Sequence, residues 1–272
     1  MPGLQPNAFA SARLLWHGHN NQHMSSELLE SRRLGDNGDI LAAPVCCDGR
    51  MSSTTVADVI TRMRAIATQE PAADGAGVFN GVYLQVTEMM LDRLTTGGTF
   101  HDDAFVADLD VRFARYWFDA YDASGDKPTV WAPLFAARAR HDILPIQFAL
   151  AGMNSHIEHD LPLAVVTTCA ARRCTPDSVR ADYEKINDVL ASVEAEIRQS
   201  FFNDIEKSID DPVEPLVHLV TSWDIAKARD FAWLTAQTLW ELRRVGDLFD
   251  EYAAGLAHTV GMGSQLLLTP LA

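Results

Sequence analysis

A histidine and an aspartate four residues apart on one helix can share a proton, orient each other through a hydrogen bond, or place a nitrogen and an oxygen on one divalent ion. His156 and Asp160 have that spacing. They interrupt the most continuously apolar stretch of the chain, ILPIQFALAGMNSHIEHDLPLAVV at 143–166, together with Asn154, Glu158 and His159. A buried polar group without a partner costs about 1–3 kcal/mol, and more if charged. The cluster therefore implies a network, a bound ion or a reaction. On a helical projection His156 and Asp160 share one flank and Asn154 lies on the other. Gly152, one turn earlier, permits close approach of a ligand or, more commonly, of another helix.

A second polar group sits where an apolar one is expected. Ile225, Ala228, Ala232, Ala236 and Leu239 define one face of a helix, and Arg229 lies within it with Trp233 and Trp240 at the edge. A buried guanidinium needs an acid, and the expected pairing is Arg229 with Asp160, next to His156 in a pocket walled by tryptophan. Tyr116 and Trp117 are further candidates for a pocket wall, although aromatic side chains at helical spacing more often fill a core.

Metal ligation by His156 and Asp160 would make a divalent ion the cofactor, with His101, His141 or His218 as further ligands. The HxxxD pair resembles part of the helical zinc phospholipase C and single-strand nuclease pattern, but Pro162 stands where that pattern requires another histidine. His17, His19 and His23 belong to a polar N-terminal tract, where metal binding is adventitious. Asp188, Ser192 and Glu196 resemble the magnesium motif of class I terpene cyclases, yet they fall on the solvated face of their helix. No GxSxG elbow, phosphate loop or dinucleotide fingerprint is present, which disfavours covalent and nucleotide chemistry.

The elements that must position these residues read as helices throughout. Thr55 and Asp58 cap a helix with Val56, Val59, Ile60, Met63 and Ile66 on its apolar face. A second helix runs from about Phe79 to the Gly97–Gly98 stop, and a third from Asp103 through Leu109, Phe113 and Trp117. Pro128 opens a short helix with Trp131, Leu134 and Phe135. Pro145 starts the central segment, and Pro162 kinks or breaks it. Thr175–Pro176 begins the longest helix, with Val179, Tyr183, Ile186, Leu190, Val193, Ile197 and Phe201 in its stripe. After a break bracketed by Pro212 and Pro215, Ser222 can cap a helix from Trp223 to about Arg244, and a last helix covers Leu248 to His258. No alternating strand pattern or fixed-period repeat appears. The expected architecture is a single all-α, helical-bundle-like domain of about eight helices at 53–272, preceded by a poorly structured extension at 1–52.

With 272 residues and 47% hydrophobic composition the chain can bury a sizeable core. Its formal charge of -15, from 37 acidic and 22 basic residues, disfavours nucleic acid, which is bound largely through phosphate neutralisation. No run approaches a membrane span and the N-terminus has no export leader, so a soluble, cytoplasmic protein is expected. The spacings of Cys46, Cys47, Cys169 and Cys174 fit reduced thiols better than a zinc hook or a disulfide scaffold.

Arg115–Tyr116, GMNSHIEHDL at 152–161, DYEKINDVL at 182–190 and KARDFAW at 227–233 together resemble the helical family catalogued as domain of unknown function fifty-nine ninety-five. The resemblance covers about residues 54–245. It implies an all-helical fold and a shared motif containing Asn154, His156, Asp160, Asn187, Arg229 and Trp233, and it brings no established reaction.

Three functions are consistent with these residues. In an enzyme on a small, largely neutral or apolar molecule, His156 transfers a proton, Asp160 orients it, Asn154 or Arg229 stabilises developing charge, and Tyr116, Asn187 and Trp233 contact the substrate. A metal-assisted hydrolase would use His156 and Asp160 as ligands. In a noncatalytic helical protein the polar set is only a buried network.

Overall fold

The Thr55 hydroxyl accepts the backbone N–H of Asp58, and the Asp58 carboxylate accepts the Thr55 N–H in return. This reciprocal cap opens α1 (Val56–Gln69), which buries the five apolar residues of its expected face. The computed structural model describes residues 54–190, 199 and 224–270, and every regular element among them is a helix. The expected extension at 1–52 lies outside the described residues.

Asp74 starts α2 (Gly75–Thr96) one turn earlier than expected, because its carboxylate accepts the N–H groups of Ala76 and Gly77. Gly97, at φ 72°, ends it in a conformation open to glycine. Asp102 caps α3 (Asp103–Asp122), and the carboxylate of Asp182 accepts the N–H groups of His101 and Asp102 just before it. The short α4 (Ala132–Ala137) follows Trp131. Pro145 occupies the first position of α5 (Pro145–Ser155), where its missing N–H costs nothing.

The central segment neither breaks nor simply kinks at Pro162. It widens into one π-helical turn over His156–Asp160 and continues as α6 (Leu161–Arg172). Proline cannot donate to the carbonyl four residues back, and its ring crowds that carbonyl. A wider turn relieves both problems, and Leu161 N–H accordingly reaches the carbonyl of His156, five residues back. Arg173, at φ 56°, closes α6, and residues 176–190 form α7.

The next helix, α8 (Ile225–Leu242), is capped by Asp224 through the Lys227 N–H. Ser222 and Trp223, the expected start, lie outside the described residues, as do Val193, Ile197, Phe201, Pro212 and Pro215. The last helix, α9 (Gly246–Leu267), runs well past His258.

Helix α5 packs against α2 and α9, while α6 packs against α3 and α8. Two large buried apolar clusters result among the described residues, with a small third around Val82 and Ala149. One gathers Leu109, Leu161, Val165, Ile186, Leu190 and Leu239. The other gathers Met63, Phe79, Trp117, Trp131, Leu134 and Phe148. Phe113 and Met153 pack against both. Gly152 permits a close approach between α5 and α2, for a Cβ there would overlap the ring of Phe79. Close helix packing is thus the use this glycine serves.

Candidate functional site

The π turn carries the candidate chemistry. His156 and Asp160 are 3% and 1% exposed. Nδ1 of His156 lies 2.9 Å from Oδ2 of Asp160, and Nδ1 of His159 lies 2.7 Å from Oδ1. The indole N–H of Trp131 donates to Oδ2 at 3.0 Å. A carboxylate can only accept, so the hydrogen-bond pattern places a proton on Nδ1 of each imidazole. Burial alone would raise the Asp160 carboxyl, yet the hydrogen bonds from His156 and His159 hold it below its ordinary value.

That arrangement fixes the other face of His156. Burial lowers its pKa against the opposing pull of Asp160, so the ring is neutral and Nε2 carries a bare lone pair. Nε2 is buried and finds no partner among the described residues. The ring itself is clamped, stacked on Phe113 at 3.6 Å between centroids and meeting Tyr83 edge-on at 4.6 Å. A fixed base with an oriented tautomer is what acid–base chemistry requires.

His156 lines a cavity of about 80 Å³ at the seam of the two large apolar clusters. Its walls come from α2 (Phe79, Val82, Tyr83, Val86, Met90), α3 (Val106, Leu109, Asp110, Phe113), Met153 of α5, the π turn and Leu161, with Ile186 and Leu190 of α7 and Ile225 and Arg229 of α8. The volume suits several waters or a ligand of a few heavy atoms. Besides Nε2 of His156, two other wall atoms are buried and find no partner among the described residues, the hydroxyl of Tyr83 and Oδ2 of Asp110. Burial pushes the Asp110 carboxyl up to about 7 and, with the Asp110 and Asp160 charges, raises the Tyr83 hydroxyl well above its ordinary value.

Neither Asp110 nor Tyr83 was singled out from the sequence. The signal for Asp110 was present, since Val106, Asp110, Phe113 and Trp117 follow one another at spacings of three and four, which sets a carboxyl in the apolar stripe of α3.

The other expected site residues separate. Arg229 is 4% exposed and lines the cavity with His156, but it does not pair with Asp160. Its guanidinium donates to the Asn187 side chain and, at 3.0 Å, to the Tyr183 carbonyl, and it stacks 4.2 Å from the Tyr183 ring centroid. A planar cation can be held by carbonyl oxygens and an aromatic face as well as by an acid. The expected charge pair is therefore replaced by an α7–α8 clamp in which Asn187 serves. Trp233 packs on Tyr183 at 4.7 Å between centroids, and neither it nor Tyr116 is among the cavity walls.

Asn154 faces away, toward α9. Its amide donates to the Val260 carbonyl and to Ser264 Oγ, both at 3.0 Å. Ser155 and Ser264 hydroxyls lie 2.8 Å apart and share hydrogens with each other and with the carbonyls of Val130 and Ala151. Asn154 belongs to this closed set and stands away from the cavity.

Joint metal ligation by His156 and Asp160 does not fit this geometry. Their facing atoms are bonded to each other, which leaves Nε2 of His156 as the imidazole's only free donor. Among the described residues no three His, Cys, Asp or Glu side chains come together as a ligand set. His101 is bonded to Asp182 and its side chain is largely exposed, His141 is exposed, and His218 lies outside the described residues. Asp188 bonds to Lys185 on the surface of α7, while Ser192 and Glu196 lie outside the described residues.

No curated protein and no solved structure matches the chain. The family of unknown function DUF5995 matches residues 56–270, a span that holds every cavity wall named above. The chain belongs to that family.

Proposed function

We propose that the cavity binds a small, uncharged, largely apolar molecule and that His156 exchanges a proton with it through Nε2, with Asp160 as the positioning residue. The observation that carries this reading is an imidazole bonded to a carboxylate through one nitrogen, whose other nitrogen is buried at an apolar cavity with no partner among the described residues. Leaving such an atom unsatisfied costs about 1–3 kcal/mol, a cost that a bound donor removes. The apolar walls and the acidic chain favour a neutral ligand over a phosphorylated one. Arg229 stands close enough to the cavity to stabilise negative charge that develops on the ligand.

The noncatalytic alternative draws on Asp160, whose two oxygens are fully engaged by Trp131, His156 and His159 as in a structural junction. It explains that carboxylate and leaves the open atoms of Tyr83, Asp110 and His156 without a reason. The free thiols of Cys169 and Cys174 support a reducing, cytoplasmic setting.

Saturation-transfer NMR with small neutral alcohols, whose hydroxyl can donate to Nε2, tests the reading. Binding to the wild type that is weakened about tenfold or more in His156→Gln is the expected result, since one buried hydrogen bond is worth roughly that factor. Equal binding by the two proteins would contradict it.

A further inference from the structure

Asp110 belongs to no ion pair among the described residues, although it is buried and carries an acid. Among the described residues, the titratable side chains that line the cavity come from four elements: Tyr83 of α2, Asp110 of α3, His156 of the π turn and Arg229 of α8. Arg229, the cation among these described side chains, donates to Asn187 and Tyr183. A carboxylate left in this environment would be a buried charge without compensation, which costs far more than holding a proton. Protonated, Asp110 becomes a donor.

The cavity then presents a defined pattern. Tyr83 and Asp110 offer two O–H donors, His156 offers one bare acceptor, and the remaining walls are mostly hydrocarbon. A carbonyl oxygen has two lone pairs for two donors. The hydrogen on the atom next to that carbonyl carbon is the acidic one such a ligand offers to Nε2.

We propose that Asp110 is the acid of the site and that the ligand is a small enolisable carbonyl compound, its oxygen held by Tyr83 and Asp110 and its adjacent C–H facing His156. The step balances without a co-reactant. Nε2 removes the hydrogen as a proton, the C–H electron pair becomes the new C=C bond, the C=O π pair moves onto oxygen, and that oxygen takes the Asp110 proton. An enol, an imidazolium and a carboxylate result, and reversal restores all three. Burial raises the Asp110 carboxyl and lowers the His156 imidazole, which favours a protonated acid and a free base at the start of the step.

This proposal rests on the reading of His156 as the base, and one experiment separates the two. Butanone in deuterated water is incubated with wild type, Asp110→Asn and His156→Gln, and deuterium entry next to the carbonyl is followed by proton NMR. Wild type should accelerate exchange, and each variant should lose about a hundredfold. Full exchange in Asp110→Asn with loss in His156→Gln would overturn the acid and leave the base standing. No acceleration by wild type would overturn both. A measurement that needs no variant accompanies it: in wild type labelled with ¹³C-aspartate, one carboxyl should titrate near 7. If every carboxyl instead titrated in the ordinary range, Asp110 would be ionised at neutral pH and could not serve as the acid.

Discussion

Two buried polar clusters flank the junction of α5 and the π turn, and they are built to opposite ends. On the α9 side, Asn154, Ser155 and Ser264 close on one another and on the carbonyls of Val130, Ala151 and Val260. On the α2–α3 side, Tyr83, Asp110 and His156 each hold a buried atom with no partner among the described residues. The same backbone turns one face to a satisfied network and the next to an open one. A satisfied network adds stability and specifies packing, whereas an open one sacrifices stability and is worth keeping only for what it binds. Asp160 divides them, satisfied itself while leaving Nε2 of His156 exposed to the cavity.

Removing the divider should have the largest effect. Asp160→Ala strands the donors of Trp131, His156 and His159 in the core, and urea unfolding should show a loss of about 3–5 kcal/mol. A loss of only a few tenths would dissolve the contrast between the clusters.

The two open titratable groups should give the stability profile opposite slopes. Asp110 keeps its proton up to about 7 in the folded protein, whereas its ordinary value is 3.8. Between those values the folded state binds the extra proton, so Asp110 contributes stability that declines as pH rises through the window, by up to a few kcal/mol. His156 works the other way. Its folded pKa lies below its ordinary 6.5, so its contribution is present above that value and is lost as pH falls below it. Denaturation across this range should show Asp110→Asn abolishing the decline between 3.8 and about 7 and leaving the acid-side loss in place.

Single truncations sharpen the comparison at smaller scale. Ser264→Ala opens the closed cluster and should cost about 1–3 kcal/mol with cavity binding unchanged, as read by denaturation and ligand-observed NMR. Gly152→Ala drives a methyl into Phe79 and should cost a similar amount through strain. Tyr83→Phe removes an unsatisfied hydroxyl. Its stability should stay level or rise by about 1 kcal/mol while butanone exchange slows.

The helices were legible because caps and periodicity are local. Thr55–Asp58, Pro145 and the Gly97 stop each act within one turn, and the structure uses them as the spacing implies. Pro162 was visible as a disturbance, but whether a helix breaks, bends or widens depends on what packs around it. The His156–Asp160 bond follows from spacing on one helix. The partners of Asn154 and Arg229 come from other helices, Ser264 of α9 and Asn187 and Tyr183 of α7, and no local rule selects among distant partners. Asp110 was readable from the apolar stripe of α3, yet its meaning emerged only when α2 and the π turn placed two more open groups on the same cavity.

The ¹⁵N spectrum of the His156 imidazole at neutral pH, with and without butanone, addresses the open cluster most directly. A protonated Nδ1, an unprotonated Nε2 and a shift confined to Nε2 on adding the ketone are the results this structure predicts. A protonated Nε2, or one whose resonance does not respond to the ketone, would contradict the assignment of this cavity as a proton-exchanging site.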